Sequence, residues 1–255
     1  MGAAMQTLMK IVLGLALAAA PAGLGAAPAN VAAAAKAEGR SADNVKLDAS
    51  RKPAELLTFL GLQQGMNVAD MFGGNRYWAE IIAPAVGSKG RVTVWEPTQF
   101  YDADTKTAFD AFVAKHPNAS ILSSPFEAPV LPVNAYDFML INLDYHDVYW
   151  ENAKNGIARM DPDQWLKAVY AAMKPGAVVG IIDHVADPGD PRTSVEKYHR
   201  IDPAVVKADF KRAGFVLEAE SDMLRNKADD HSLTVFDPKI RGHTDRFVFK
   251  FRKPW

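Results

Sequence analysis

The chain has 255 residues, a formal net charge of −1 and 49% hydrophobic residues. This length allows one large domain or two small ones, and the near-neutral charge gives no bulk electrostatic reason to expect nucleic acid or an acidic membrane as partner. The sequence contains no cysteine, which excludes disulfides, thiolate metal sites and a cysteine nucleophile.

Residues 1–29 have the pattern of a cleavable secretory signal peptide. Lys10 precedes an apolar run over 11–20, which a stretch rich in small residues follows. The run is shorter than the roughly 20 apolar residues that cross a bilayer. Small residues at the required spacing place cleavage after Ala29, or alternatively after Ala27. We expect a periplasmic or secreted protein without a stable membrane anchor after cleavage; an uncleaved anchor and a disordered tail are the alternatives.

Residues 30–49 are an alanine-rich lead-in, for which a short helix and a flexible segment are both open. A single domain is expected over residues 50–255. Its first helix has Pro53 in the first turn and Gly61 at the end, the positions that these residues favour. The helix buries one apolar face, which contains Leu56, Leu57 and Leu60.

From residue 67 onward, strand-like and helix-like segments alternate, which predicts an α/β fold with a doubly wound, mostly parallel sheet of seven strands. The last strand alternates Phe247, Phe249 and Phe251 with Arg and Lys, so we expect it to be antiparallel and half exposed. The predicted strands are 67–72, 91–96, 119–124, 136–143, 177–184, 216–223 and 245–253, and the helices between them are 77–86, 102–117, 162–176 and 202–215.

Two long connections, 152–160 and 185–200, follow the fourth and fifth predicted strands. Segments of this length usually line ligand pockets. The stripe of Trp165, Val169, Ala172 and Met173 has helical spacing and is expected in the core.

Polar residues follow the predicted strands where an open parallel sheet binds its ligands, beyond the carboxyl ends. Glu96 ends the second strand, 26 residues after Asp70. A carboxylate there can accept hydrogen bonds from both hydroxyls of a ribose, although a solvated glutamate is an alternative. Asn142 follows the fourth strand, and Asp183 and His184 end the fifth.

The ordered set "VADMFGGNRYWAEIIAPAVGSKGRVTVWEP", "YDFMLINLDYHD", "MKPGAVVGIIDH" and "RAGF" resembles the class I S-adenosylmethionine-dependent methyltransferase superfamily. It is most similar to a bacterial branch of predicted methyltransferases that carry signal peptides. The resemblance covers roughly residues 49–255. It implies a Rossmann-like methyltransferase fold, S-adenosylmethionine as cofactor and methyl transfer to a small-molecule acceptor.

In that superfamily the first loop follows the pattern acid-x-Gly-x-Gly-x-Gly. Here Asp70 is the acid and Gly74 the middle glycine, while Phe72 and Arg76 replace the other two. Arg76 is the main departure, because glycine at such positions permits close approach of the backbone or a positive φ. Arg76 either blocks the loop, points outward or binds an anion, and we expect the last. The resemblance implies cofactor binding by Asp70, Phe72, Gly73, Gly74, Arg76, Tyr77, Glu96 and Asn142.

Histidines after the buried strands are candidate bases for methyl transfer. His146 and His184 titrate near neutral pH, and Asp147 is placed to orient His146. We expect Tyr145 to cover the cofactor or line the substrate pocket, and His199 to close over it. The alternative is that these side chains only bridge loops.

Two further functions stay open. Asp144, His146, Asp183 and His184 are oxygen and nitrogen ligands that suit Zn, Fe or Mn, which would fit a metal-dependent, hydrolase-like enzyme, but no close histidine pair supports a metal site. The other alternative is a non-catalytic binding protein in which Arg76 has altered the cofactor loop. Lys and Arg are spread along the chain without interleaved aromatics, so nucleic acid is not expected.

Overall fold

A computed structural model describes residues 26–255 of the chain; most of the predicted signal peptide, residues 1–25, lies outside the described residues. The segment around the predicted cleavage site pairs with a later turn. The N–H of Ala29 donates to the carbonyl of Leu62 at 3.2 Å, and the N–H of Gln64 donates to the carbonyl of Ala27 at 3.0 Å.

Four short helices precede the first strand: α1 (Val31–Ala35), α2 (Ala42–Lys46), α3 (Asp48–Arg51) and α4 (Pro53–Leu60). The side chain of Asn30 caps α1 by accepting the N–H of Ala33. Val31 and Ala34 are buried against α4 and against the helix that follows the first strand. The alanine-rich lead-in is therefore packed on the domain, and no gap in the packing marks the expected boundary at residue 50.

Seven strands form one sheet in the order β3-β2-β1-β4-β5-β7-β6. β7 is antiparallel to both of its neighbours, and the other pairs are parallel. This confirms the predicted doubly wound sheet and its antiparallel last strand. The strands are β1 (Asn67–Met71), β2 (Arg91–Pro97), β3 (Ala119–Ser124), β4 (Tyr136–Asn142), β5 (Met173–His184), β6 (Val216–Ser221) and β7 (Arg246–Arg252), and the helices that follow β1 are α5 (Tyr77–Val86), α6 (Ala103–Lys115), α7 (Pro162–Ala172), α8 (Pro191–Tyr198) and α9 (Pro203–Arg212).

Each face of the sheet carries its own apolar core, as the alternation of side chains along a strand requires. In β4, Phe138 and Leu140 join one core, while Met139 and Ile141 join the other. All four are fully buried. The predicted stripe that begins with Trp165 lies in the second of these cores.

The end of α7 differs from the prediction. The helix stops at Ala172, and residues 173–176 begin β5 rather than closing the helix. The cause is local: Gly176 has φ of +77° and donates its N–H to the carbonyl of Lys253, so this backbone follows the strand.

The last strand is antiparallel as predicted but is not half exposed. Phe247, Phe249 and Phe251 lie in one core and Val248 in the other, because β7 lies between β5 and β6 and is covered on both faces. Arg246, the first residue of β7, is 6% exposed.

The connection over 185–200 contains a helix that the sequence analysis missed. Asp190 caps α8 by accepting the N–H of Thr193 at 2.8 Å, and Pro191 takes the first helical position. His199 ends this helix with a left-handed φ of 53°.

Candidate active site

The carboxyl ends of β1 and β4 lie side by side at the centre of the sheet. The strand order reverses between these two strands, which makes this the topological switch point. Crevices at such a point bind ligands in open α/β sheets. One cavity there has a volume of about 300 Å³, and we call it the glycine-loop lobe. Its lining includes Arg51, Asp70, Phe72, Gly73, Gly74, Trp78, Glu96, Phe100, Asn142, Asp144 and Asp147.

A second cavity, of about 410 Å³, adjoins the first and shares Arg51, Asp144 and Asp147 with it. We call it the histidine lobe. Its lining includes Arg51, Asp144, His146, Asp147, His184, His199, Phe236, Arg241, Thr244 and Arg246.

Two glycines let the loop after β1 lie directly on the acids of the site. A Cβ on Gly74 would lie 2.8 Å from Oε1 of Glu96, and a Cβ on Gly73 would overlap Val94 and come within 3.1 Å of Oδ2 of Asp70. Phe72, where the superfamily pattern has glycine, keeps a left-handed φ of 57°. Its ring packs edge-on against Trp95, which holds the strained residue in place.

Arg76 and Tyr77 differ from the sequence-based expectation, because neither lines either lobe. Arg76 keeps the left-handed φ of the replaced glycine, 59°, and its guanidinium turns back to donate to the carbonyl of Gly74 at 2.9 Å. The guanidinium also lies over the ring of Phe109, 5.4 Å from the centroid. Tyr77 is fully buried, and its hydroxyl donates to Asp48 at 2.7 Å.

Two of the four acids that line the glycine-loop lobe, Asp70 and Glu96, are buried without full hydrogen bonding. Asp70 is 1% exposed and Glu96 6%. Within residues 26–255, Oδ2 of Asp70 and Oε2 of Glu96 have no hydrogen-bond partner. Burial raises the pKa of Asp70 to about 7, and burial together with the neighbouring Asp70 raises the pKa of Glu96 to about 8. A pair of buried acids without donors is costly and fits a ligand that brings donors.

The end of β4 contributes Asn142 and the turn that follows. Asn142 lines the glycine-loop lobe as predicted, and Leu143 after it has a left-handed φ of 65°. This turn places Asp144 where the two lobes meet. Burial and the nearby Asp147 raise the pKa of the Asp144 carboxyl well above its usual range.

His146 is held by Asp183 rather than by Asp147. Oδ2 of Asp183 accepts the backbone N–H of His146, and Oδ1 of Asp183 lies 2.8 Å from its Nδ1. Nε2 of His146 lies 3.3 Å from Oδ1 of Asp147, an oxygen that no described residue hydrogen-bonds. Burial alone would lower the pKa of His146, but Asp183 and Asp147 outweigh burial and raise this pKa to about 9.

In contrast to His146, both His184 and His199 have a lowered pKa. Burial and the neighbouring His146 lower the pKa of His184 well below its usual range and that of His199 to about 4. Nδ1 of His184 lies 2.7 Å from the hydroxyl of Thr244. Both rings are neutral at physiological pH, and both line the histidine lobe.

Tyr145 lies in the core and lines neither lobe, contrary to the expected role in covering the cofactor or the substrate. Its hydroxyl donates to Asp209 at 2.8 Å, and its ring packs against Trp165 and Phe210. The short 3₁₀ helix over Tyr145–Tyr149 explains the difference. It turns consecutive side chains to different sides, so that His146 faces the lobe and Tyr145 does not.

Sequence analysis missed the arginines of the site. Arg51 lines both lobes, its guanidinium lies over the Tyr77 ring at 4.3 Å, and it makes no hydrogen bond to any described residue. Arg241 and Arg246 line the histidine lobe. Arg51 lies about 190 residues before the other two, and the three belong to no short motif.

The segment that carries Arg241 and Thr244 is fixed by a polar cluster around Asp245. Both carboxylate oxygens of Asp245 accept from Arg225, at 2.8 and 2.9 Å, and Nε2 of His231 lies 3.2 Å from Oδ2. Asp229, which accepts from the buried Arg200, also accepts the backbone N–H of Asp245. The loop before β7 is thus held over the histidine lobe by ion pairs.

The described part of the chain contains no group of three or more His, Cys, Asp or Glu side chains arranged to hold a metal ion. Among residues 26–255, no helix combines the length and apolar character that a bilayer crossing needs.

No family model matches the sequence, and no curated protein is similar to it. Solved structures do match. An S-adenosylmethionine-dependent methyltransferase from Aquifex aeolicus has a TM-score of 0.57 and 18% identity over 88% of this chain and 98% of its own. An S-adenosylmethionine-dependent methyltransferase from Mesorhizobium loti has a TM-score of 0.55 and 14% identity over 81% of this chain and 99% of its own.

The 1,6-didemethyltoxoflavin-N1-methyltransferase of Burkholderia thailandensis is also similar, with a TM-score of 0.52 and 13% identity over 84% of this chain and 80% of its own. That structure contains 1,6-didemethyltoxoflavin and S-adenosylhomocysteine. The chain has the class I methyltransferase fold. At these identities the likeness is one of fold, and function has to be argued from the site.

Proposed function

We propose that the protein binds S-adenosylmethionine in the glycine-loop lobe and supports methyl transfer to a small-molecule acceptor in the histidine lobe. The observation that carries this proposal is the pair of buried acids beside a glycine loop, Asp70 and Glu96, each of which has one oxygen without a hydrogen-bond donor among the described residues. A nucleoside ribose brings hydroxyl donors to the end of β2, and an α-amino group is a cation suited to buried carboxylates.

The residues present fit this cofactor. Glu96 is the ribose ligand, Gly73 and Gly74 allow close approach of the backbone, and Phe100 adds apolar ring surface. Trp78 is 4% exposed and lines the lobe with an indole N–H that lacks a partner among the described residues. A ligand with both donors and acceptors would satisfy this set.

When bound, S-adenosylmethionine supplies an activated methyl group, so the protein has to align the acceptor and remove its proton. Asp183 and Asp147 raise the pKa of His146 to about 9, which favours its protonated form, and a protonated imidazole is not a base. Asp147 lines the junction of the lobes, its Oδ1 lies 3.3 Å from Nε2 of His146, and burial raises the pKa of this carboxylate. We assign Asp147 as base, His146 as the cation beside it and Asp183 as the residue that positions His146.

Calorimetric titration with S-adenosylhomocysteine tests the proposal. At pH 8.5, above the pKa of about 8 for Glu96, the wild-type chain should bind it, and Glu96→Gln should bind it about tenfold or more weakly, since a charged hydrogen bond contributes roughly 1.5–3 kcal/mol. Glu38→Gln, at an exposed position outside both lobes, is the matched control and should bind normally. A folded wild-type chain that does not bind would favour the non-catalytic binding protein.

We also propose export, as in the signal-bearing branch that the sequence resembles. Support comes from the pattern over residues 1–29 and from Asn30, which caps α1. Cleavage after Ala29 would leave that cap in place while removing the pairing with residues 62–64. Mass spectrometry of a periplasmic fraction should find Asn30 as the first residue; intact Met1 in a cytosolic fraction would contradict export.

A further inference from the structure

The histidine lobe contains buried positive charge that no described residue neutralises at short range. Arg246 is 6% exposed; its Nη2 donates to the carbonyl of Ser50, but its Nε is buried without a partner. The guanidinium of Arg51, in the same lining and half-buried, makes no hydrogen bond within residues 26–255. Burying the guanidinium of Arg246 in this way is costly unless an anion joins it.

The acid next to Arg246 in the chain does not fill this role. Asp245 accepts from Arg225 through both oxygens and also contacts His231. Burial and the charge of Arg51 lower the pKa of Arg246 to about 10. A bound anion would relieve both costs.

Arg51 lines both lobes and therefore lies at their junction, together with two acids. Asp144 and Asp147 line the junction with the glycine-loop lobe, next to the protonated His146. His184 and His199 are neutral. The lobe therefore has a cationic end at Arg246 and a junction end where the proton-accepting carboxylate stands.

We propose that the acceptor carries an anionic oxygen group, a carboxylate or a phosphate, which binds at Arg246 and Arg51 and directs the methyl-accepting atom toward Asp147. This inference rests on the proposed methyl transfer and narrows its substrate class. Arginine presents the forked donors that bind either anion through two oxygens.

The test uses benzoate, phenyl phosphate and their uncharged relative benzamide, titrated into the purified protein and followed by ligand-observed NMR. Benzoate or phenyl phosphate should bind about tenfold or more tightly than benzamide. The preferred of the two anions identifies the group as carboxylate or phosphate. Equal binding of benzamide would overturn the proposal.

Two variants at Arg246 distinguish loss of anion binding from loss of folding. Arg246→Gln should weaken binding of the preferred anion about tenfold or more, and Arg246→Lys should recover part of the loss because it restores the charge. Arg91→Gln, at an exposed position outside both lobes, should bind as the wild type does. If Arg246→Gln does not fold, Arg51→Gln replaces it. A folded variant of Arg246 and Arg51 that binds the anion normally would overturn the proposal.

Titration with S-adenosylhomocysteine on the same preparations separates the two claims. Cofactor binding without anion binding would overturn this inference and leave the proposed methyl transfer intact. Anion binding without cofactor binding would overturn the methyl transfer, and with it the reading of the anion as a methyl acceptor.

Discussion

The two lobes meet at Asp144 and Asp147 but have opposite character. In the glycine-loop lobe, one carboxylate oxygen of Asp70 and one of Glu96 are buried without a hydrogen-bond donor among the described residues. In the histidine lobe, Nε of Arg246 is buried without an acceptor among them, and the guanidinium of Arg51 makes no hydrogen bond to them. The unsatisfied groups of one lobe therefore match a ligand with hydroxyls and an ammonium, and those of the other match an anion.

The lobes also differ in how the chain builds them. The glycine loop of the first lobe and the acids beside it, Asp70 and Glu96, lie within residues 70–96, at the ends of adjacent strands. The second lobe brings together residues 51, 146, 199 and 246, from four separate parts of the chain. A fold can keep the first lobe by keeping one motif and change the second by changing loops, which is how one fold serves many acceptors.

The largest effect is expected from a substitution that disrupts ligand binding in the glycine-loop lobe and leaves the histidine lobe unchanged. Gly74→Ala places a methyl group 2.8 Å from Oε1 of Glu96, so the carboxylate has to move. S-adenosylhomocysteine affinity should fall by about tenfold or more, while binding of the preferred anion in the histidine lobe should not change. The measurement is calorimetry. Gly189→Ala, where an added Cβ meets nothing within 4 Å, is the control; unchanged cofactor affinity in Gly74→Ala would contradict the cofactor assignment.

A smaller effect concerns stability and pH. In the folded state the pKa of Glu96 is raised to about 8, above its value in the unfolded chain. The contribution of Glu96 to folding stability is therefore complete below the unfolded pKa and is lost as pH rises through about 8. Glu96→Gln never ionises, so its melting temperature should exceed that of the wild type at pH 8.5 and match it near pH 4.

Each kcal/mol corresponds to roughly 2–4 °C in a domain of this size, so a gain of about 3 °C or more is expected at pH 8.5. Thermal unfolding followed by circular dichroism at both pH values measures it. Glu38→Gln should show no pH-dependent gain. A variant that is less stable than the wild type at pH 8.5 would mean that Glu96 has a favourable partner in the folded state.

The smallest effect is expected at Arg76. Its guanidinium faces Gly74 and Phe109 rather than either lobe, so Arg76→Gly should leave S-adenosylhomocysteine affinity within about twofold. Relief of the left-handed φ, roughly 1–2 kcal/mol, offsets the lost contacts, and stability should change by about 1 kcal/mol or less.

Asn134→Gly is the matched control for this prediction, because Asn134 is exposed, has φ of 50° and lies away from both lobes. This variant measures how glycine changes stability at a left-handed position when no side-chain contact with the loop after β1 is lost. A tenfold loss of affinity in Arg76→Gly would restore the sequence-based expectation that Arg76 binds an anion of the cofactor.

Much of the fold was predictable because it depends on local patterns. Apolar runs such as 136–143 predicted strands buried on both faces, and alternation of strands with helices predicted a doubly wound sheet. The exposure of β7 was not predictable, since it depends on strand order: alternating Phe and Lys fits an edge strand equally well. The position of β7 at the end of the sequence does not indicate that the strand lies between β5 and β6 in the sheet.

The residues of the site that lie at strand ends were predictable from the sequence, and those placed by turns or by other strands were not. Asp70, Gly74, Glu96 and Asn142 line the cleft because strand ends converge by topology. Tyr145 was misplaced because a 3₁₀ turn decides which of two neighbouring side chains faces the cleft. The partner of His146 was also misjudged: Asp183 comes from the adjacent strand β5, whereas chain proximity favoured Asp147.

The place of β7 has a consequence for the order in which the chain folds. β7 comes after every other strand in the chain, yet it supplies the only strand pairing that β6 has within the described residues. During synthesis the outer edge of β5 stays unpaired, and β6 stays detached, until residues 246–252 emerge. Arg246 opens that strand, so the histidine lobe is completed last.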